Sequence, residues 1–323
     1  MDTQVTEQSR KQHHAYFNVA DGVWGMKIVI VNIYMVSKGQ DSKEWVLIDT
    51  GVPGSAKKII NMAEDLFGRN VPPSAIILTH GHFDHTGSIK DLLKYWDVPV
   101  YAHHLEMPYL TGKSAYPPPD PSVGGGLMSS LSWTFPKGPI NLGRRVKALA
   151  DDGVVPVLDQ WNYFHTPGHA PGHISLFRDA DRILIAGDAF VTCKQESVFA
   201  SLTQKKRLSG PPKYFTNNWA AAEESVRILA DLAPQIAATG HGIPMKGEDL
   251  KRGLKELTEN FQEKAVPKHG RYVEDPAITN DQGVQYLPPK PFDPLLSASV
   301  FALAALSAYT LVKRFSSNSS KQS

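Results

Sequence analysis

Three histidines and an aspartate crowd the six positions from His80 to His85, within the stretch THGHFDHTG at 79 to 87. In an extended segment alternate side chains point the same way. His80 and His82 can therefore converge on one cation, while Asp84 and His85 point elsewhere and can take a second. Imidazole nitrogen and carboxylate oxygen, binding at about 2.0 to 2.2 Å, suit zinc and also iron or manganese. Two cations need more ligands than these four. Further candidates stand in turns of small residues: His169 in TPGHAPGH, Asp188 in IAGDAF and His241 in ATGHG. Small neighbours let the backbone turn sharply and approach a shared centre. A pair of divalent cations roughly 3.5 to 4 Å apart lowers the pKa of a bridging water and polarises a carbonyl or phosphoryl oxygen, which is the chemistry of hydrolysis.

The elements that must position these groups are legible as runs. Apolar, β-branched stretches at 27–36, 45–49, 75–79, 98–103, 162–166, 173–177 and 182–187 read as strands, and they alternate with segments of helical period. That alternation predicts an α/β fold. The clustered histidines directly follow the run AIILT, so they lie at a strand's C-terminal end, where α/β proteins tend to place their chemistry. Residues 55–67 predict a helix capped by Ser55 and stopped at Gly68, and two more helices are expected near 219–232 and 247–265. Residues 105–140 carry PPPDP, three consecutive glycines and scattered aromatics, and read as a lid. Residues 266–294 are rich in proline and read as an extended linker.

With H-x-H-x-D-H, TPGH, GD and GHG in this order, the chain resembles the metallo-β-lactamase-fold superfamily across residues 23–244. The resemblance implies an α/β sandwich of αβ/βα type, four layers with two mixed sheets. It implies that His80, His82 and His169 hold one metal, that Asp84, His85 and His241 hold the other, and that Asp188 bridges them. The cations would be two divalent ions, zinc ahead of iron or manganese. Asp49, in VLIDTG, matches an aspartate that orients a ligand histidine from behind. His173 reads as a hydrogen-bonding residue beneath the TPGH loop. Asp84 or Asp188 would shuttle the proton.

The bridging Asp188 sets the chain apart from true β-lactamases and makes it similar to glyoxalase II-like thioesterases and to lactonases. No glutathione-binding region is recognisable after Asp188, and Val191 stands where many lactonases place a tyrosine. The expected reaction is hydrolysis of a carboxylic ester, lactone or thioester. Phosphoester hydrolysis, or a single-iron enzyme resembling the persulfide dioxygenases, is the alternative. Trp24 and Met26 are expected on a loop over the metals. Together with Phe83, Tyr116 and Trp133 they suggest an apolar cleft and a small-molecule substrate with a lipophilic part.

Bulk properties narrow the field. A chain of 323 residues, 41% hydrophobic, can build one large core, and a net charge of +2 without a long basic run argues against a nucleic-acid partner. One cysteine excludes an internal disulfide and fits a cytoplasmic catalytic domain over residues 21–265, preceded by a polar segment at 1–20 that lacks an apolar signal region. His103, His104 and His165 read as ordinary polar or packed residues, and Cys193 as a buried thiol. An uncharged apolar run at 295–312, within a helix expected over 295–315, is followed by Lys313 and Arg314 and reads as a membrane anchor.

Overall fold

The computed structural model describes residues 16–39, 42–193 and 207–290. One sheet takes its strands in chain order: β1 (Phe17–Ala20), β2 (Val23–Ile28), β3 (Val31–Ser37), β4 (Trp45–Ile48), β5 (Ala75–Ile77), β6 (Val100–Ala102) and β7 (Val146–Ala148). Pairing is antiparallel up to β4 and parallel from β4 to β7. A second sheet has β8 (Trp161–His165), β9 (Ile174–Arg178), β10 (Ile183–Gly187), β11 (Ile236–Thr239) and β12 (Met245–Lys246) in the spatial order β12-β11-β10-β9-β8. Only β10 and β11 pair in parallel there, so both sheets are mixed.

The two-residue period of a strand builds the layers. In β4, Trp45 and Leu47 pack on the helices Ala56–Phe67 and Ile89–Tyr95, whereas Val46 and Ile48 face the other sheet. In β10, Ile183 and Ile185 meet the first sheet, while Leu184 and Ala186 pack on the helices Trp219–Asp231 and Gly247–Glu259. Three apolar seams thus separate helix, sheet, sheet and helix, which is the αβ/βα sandwich. Each large aliphatic side chain buried in a seam contributes roughly 1.5 to 3 kcal/mol, so loss of strand period on either face would be ruinous.

Several expectations change against the structure. The run at 27–36 is a hairpin of β2 and β3, because Val29 takes the left-handed conformation at φ 59° and reverses the chain. Trp24 and Met26 consequently lie on β2, not on a loop over the metals. Met26 is buried in the outer seam, and Trp24 sets its ring edge-on to Phe67 at 5.7 Å. Ser55 occupies the helix N-cap without a side-chain cap bond; its N–H donates to Ser88 Oγ at 2.8 Å. Residues 17–20, expected in a polar leader, form β1.

Residues 266–288 pack on the body rather than extend from it. They form a hairpin of β13 (Ile278–Asn280) and β14 (Gly283–Tyr286). Buried Tyr272 donates from its hydroxyl to the Pro118 carbonyl at 2.8 Å, and Val284 N–H donates to Ser114 Oγ at 3.2 Å. The lid stretch, 105–140, is a chain of short helical turns whose base is zipped to residues 140–142: Ile140 and Leu142 donate to the Tyr109 and Leu110 carbonyls at 2.9 Å each. The anchor expected at 295–312 lies outside the described residues. Among the described residues, no helix is long and apolar enough to cross a membrane.

Candidate metal centre

The loops leaving β4, β5, β8, β10 and β11 all open at the same end of the two sheets, and they carry Asp49, the 80–85 cluster, His169, Asp188 and His241 in turn. The TPGH loop is held from outside by the start of the helix Trp219–Asp231. Asn217 and Asn218 donate their backbone N–H to the Gly168 carbonyl at 3.0 and 3.1 Å, and Asn217 Nδ2 donates to the His169 carbonyl at 3.2 Å.

Three groups of side chains result: His80, His82 and His169; His80, His85 and Asp188; and Asp84, His85 and His241. Within each group the potential ligand atoms all lie within 4.8 Å of one another, and all seven residues are buried. The sequence-expected ligands therefore converge. His82 Nδ1 faces His169 Nε2 at 3.0 Å, and Asp188 Oδ2 lies 3.0 Å from His241 Nε2, 3.4 Å from His169 Nε2 and 3.6 Å from His85 Nε2.

Hydrogen bonds from behind fix which nitrogen looks inward. His241 Nδ1–H donates to the Ile30 carbonyl at 2.8 Å, which turns Nε2 toward the carboxylates. Thr79 gives its hydroxyl hydrogen to Asp49 Oδ2 at 2.8 Å, so its oxygen accepts from His80 Nδ1–H at 3.1 Å and leaves His80 Nε2 facing in. His173 is not inward-facing: Nε2 accepts the Asp188 N–H at 2.8 Å, and Nδ1 pairs with Thr166 Oγ1 at 2.9 Å. It braces the Asp188 turn.

The protonation pattern divides the cluster. Burial holds His80 and His169 well below the ordinary imidazole range, and His82 at about 3, so these three rings are neutral donors. Burial also opposes charge on His85 and His241, yet the carboxylates win: Asp49, Asp188 and Asp84 hold His85 well above its usual range, and Asp188 and Asp84 raise His241. Burial alone would raise Asp188, but His241 and His85 hold it well below the carboxylate range, while burial pushes Asp84 up. Positive charge is therefore stabilised beside the Asp84 and Asp188 carboxylates.

A cation fits this donor set. His80 Nε2, His85 Nε2 and Asp188 Oδ1 are buried without a hydrogen-bond partner among the described residues. A buried unsatisfied polar atom typically costs about 1 to 3 kcal/mol, and these three, with His169 Nδ1 a fourth unpartnered atom in the same cluster, point to a ligand. Five imidazoles and two carboxylates without sulfur match zinc, iron or manganese.

Other histidines are less suited. His103, His104 and Asp151 also come together, but His103 Nδ1 accepts the Leu105 N–H at 3.3 Å, and its ring stacks on His165 at 4.0 Å. Cys193 is buried and belongs to none of these groups.

Around the centre, the expected substrate residues separate. Phe83 is half-buried and lies 5.6 Å from Phe135 and 6.4 Å from Phe215, ring to ring. Phe215 in turn stacks on His82 at 4.4 Å. Tyr116 is buried, with its ring 4.6 Å from His82 and its hydroxyl bonded to Glu106 and to the Gly81 N–H, and so serves as framework. Trp133 is 69% exposed and lies in none of the apolar seams.

Three residues escaped sequence reasoning: Phe135, Phe215 and Glu106. Glu106 is fully buried, and its carboxylate is pushed up to about 6 by burial despite three donors, the Tyr116 hydroxyl and the Gly172 and Gly81 N–H groups. Nothing in its local sequence marks it, because its partners are distant in the chain.

Similarity to known proteins gives the chain its family. The model of the metallo-beta-lactamase superfamily matches residues 27–241. A probable metallo-hydrolase, YflN of Bacillus subtilis, is 50% identical over 75% of this chain and 92% of its own length. Hydroxyacylglutathione hydrolase GloC of Haemophilus influenzae is 27% identical over 46% of this chain and 62% of its own. In fold, the chain is similar to the metallo-beta-lactamase family protein TTHA1429 of Thermus thermophilus, with a TM-score of 0.53, 20% identity, and coverage of 76% of this chain and 81% of that one. By the span of the family match and by the identity to YflN, the chain belongs to the metallo-beta-lactamase superfamily.

Proposed function

We propose that the protein is a binuclear metal-dependent hydrolase of carboxylic esters, lactones or thioesters with a lipophilic part. The observation that carries this reading is the set of buried, unpartnered ligand atoms on His80, His85 and Asp188. His80, His82 and His169 would hold one divalent cation, and Asp84, His85 and His241 the other, with Asp188 shared between them. Zinc is the first choice for both. Bound there, two such cations acidify a water and polarise a substrate carbonyl.

The chain's own residues supply the rest. Burial raises the Asp84 carboxyl while His241 and His85 hold Asp188 low, so Asp84 is the carboxylate suited to carry a proton to the leaving group. Phe83, Phe135 and Phe215 present an aromatic wall beside His82, which orients an apolar acyl group and excludes water. The likeness to a hydroxyacylglutathione hydrolase supports an acyl-transfer substrate over a phosphoester.

The test is a panel of lactones, thioesters, aryl esters, phosphodiesters and β-lactams on metal-analysed protein. Turnover of acyl substrates that improves with acyl length is expected. Preference for phosphodiesters, or one iron per chain with oxygen uptake on a persulfide, would overturn the reading.

A further inference from the structure

Glu106 ends the turn His104–Glu106, at the base of the 105–140 stretch, and points its carboxylate between the two loops that carry histidines. Oε1 accepts the Gly172 N–H at 2.7 Å. Oε2 accepts the Gly81 N–H at 2.8 Å and the Tyr116 hydroxyl, and the Tyr116 oxygen shares the same Gly81 N–H at 2.9 Å. Gly81 is the residue between His80 and His82, and Gly172 lies between His169 and His173. One carboxylate thus spans from the first histidine loop to the TPGH loop, with each oxygen committed to a different loop.

The surrounding packing is built for that span. A Cβ on Gly81 would sit 2.4 Å from the Tyr116 hydroxyl oxygen, and one on Gly172 would sit 2.8 Å from Glu106 Cγ. Both positions demand glycine because the carboxylate and the phenol come so close. The Tyr116 ring is itself wedged between Tyr109, stacked at 3.9 Å, and His82 at 4.6 Å. Glu106 is fully buried, so no solvent competes for its oxygens.

We infer that Glu106, braced by Tyr116, is a positioning residue that sets the separation of the His80–His82 and His169 loops and thereby the geometry of the three-histidine cation site. It is not a ligand, since both oxygens are spent on backbone donors. The inference rests on the reading of His80, His82 and His169 as one cation site. It also gives the 105–140 stretch a second task, because the segment that walls the cleft also holds the ligand loops in register.

The experiment uses the full chain loaded with Co(II), whose visible absorption band reports the coordination geometry. In Glu106→Gln, an NH2 donor replaces one acceptor and faces a backbone N–H, so one loop is pushed away. The expected result is a shifted band and Co(II) affinity for the three-histidine site reduced by on the order of 10-fold or more, as for other residues that orient metal ligands. Tyr116→Phe keeps both loop contacts of Glu106 but removes the hydroxyl that also accepts the Gly81 N–H at 2.9 Å, so it should shift the band, though less. Leu257→Ala, which opens a cavity under the outer helix Gly247–Glu259, should leave the band unchanged and separates geometry from mere loss of stability.

A wild-type band and affinity in folded Glu106→Gln overturn the inference. If that variant does not fold, Tyr116→Phe decides: a shifted band supports the inference and an unshifted one overturns it. A wild-type chain that shows no Co(II) band sinks the cation-site reading first, and the positioning role with it.

Discussion

Asp49 Oδ2 lies 2.8 Å from His85 Nδ1 and accepts its hydrogen. The same carboxylate accepts from Thr79 N–H and from Thr79 Oγ1, each at 2.8 Å, and Thr79 Oγ1 in turn takes the His80 Nδ1 hydrogen. One buried aspartate therefore orients a histidine of each proposed cation site. Asp49→Ala should weaken cation binding by roughly 10- to 100-fold, as outer carboxylates generally do. The second site should suffer more, because His85 is held directly and His80 only through Thr79. Zinc titration by calorimetry checks this; unchanged affinity at both sites would refute the arrangement.

Freshly isolated, unchelated protein should contain close to two divalent cations per chain. Asp188→Ala should deplete both sites, since Asp188 Oδ2 lies within 3.6 Å of His85, His169 and His241 nitrogens. His241→Ala should empty mainly the site with Asp84. Elemental analysis that finds the same metal loss in both variants would undo this division.

The aromatic wall should set acyl preference. Phe215→Ala or Phe135→Ala is expected to lower kcat/KM for long acyl chains by about 10-fold relative to short ones, the size of one or two buried methylenes, with metal content of Phe135→Ala unchanged. Phe215→Ala also strips the ring stacked on His82 and should loosen that ligand. Trp133→Ala should change little. An equal loss on all substrates in Phe135→Ala would make the wall purely structural.

Without cations, stability should peak near pH 6.5. His82 and His173 are held at about 3 against an ordinary 6.5, with burial the leading cause, so the unfolded chain takes protons first and stability falls as pH drops below about 6.5. His85 and His241 are raised, chiefly by carboxylates acting against burial. Their contribution is fully present below 6.5 and is lost as pH rises through their folded values. Added zinc replaces those protons, so the stabilisation it confers should grow with pH. Urea midpoints from about pH 4 to 9, with chelator and with zinc, test both slopes; a chelated midpoint that keeps rising in alkali would contradict the assignment.

Much of the centre was legible because its residues announce themselves locally. His80, His82, Asp84 and His85 fall within one turn, and His169, Asp188 and His241 each sit beside a glycine after an apolar run, so strand ends and chemistry coincide in the sequence. Glu106 and Phe215 were illegible for the opposite reason: Glu106 meets Gly172 across 66 positions, and Phe215 meets His82 only through the folded sandwich. Trp24 and Met26 were misplaced because the reversal at Val29 uses neither glycine nor asparagine, so a hairpin read as one strand with a leading loop. The proline-rich run after Val266 looked like a linker because its docking rests on a few backbone bonds and on Tyr272, none of which has a periodic signature.

That docking has a temporal side. Asp120, Pro118 and Ser114 meet partners 151, 154 and 170 positions later in the chain, and those partners all follow His241, the last of the seven clustered residues. On a ribosome His241 leaves the exit tunnel before the partners that brace residues 114–120, so the histidine loops can gather first, since such long-range pairings form only after their C-terminal member arrives. The expected order of assembly runs from the inside out, with the proposed cation sites filling before the outer wall closes. Chelator added during cell-free translation and removed at release should leave far less metal in the product than the same brief exposure afterwards, and equal loss from both would show that the finished wall is no barrier to cation exchange.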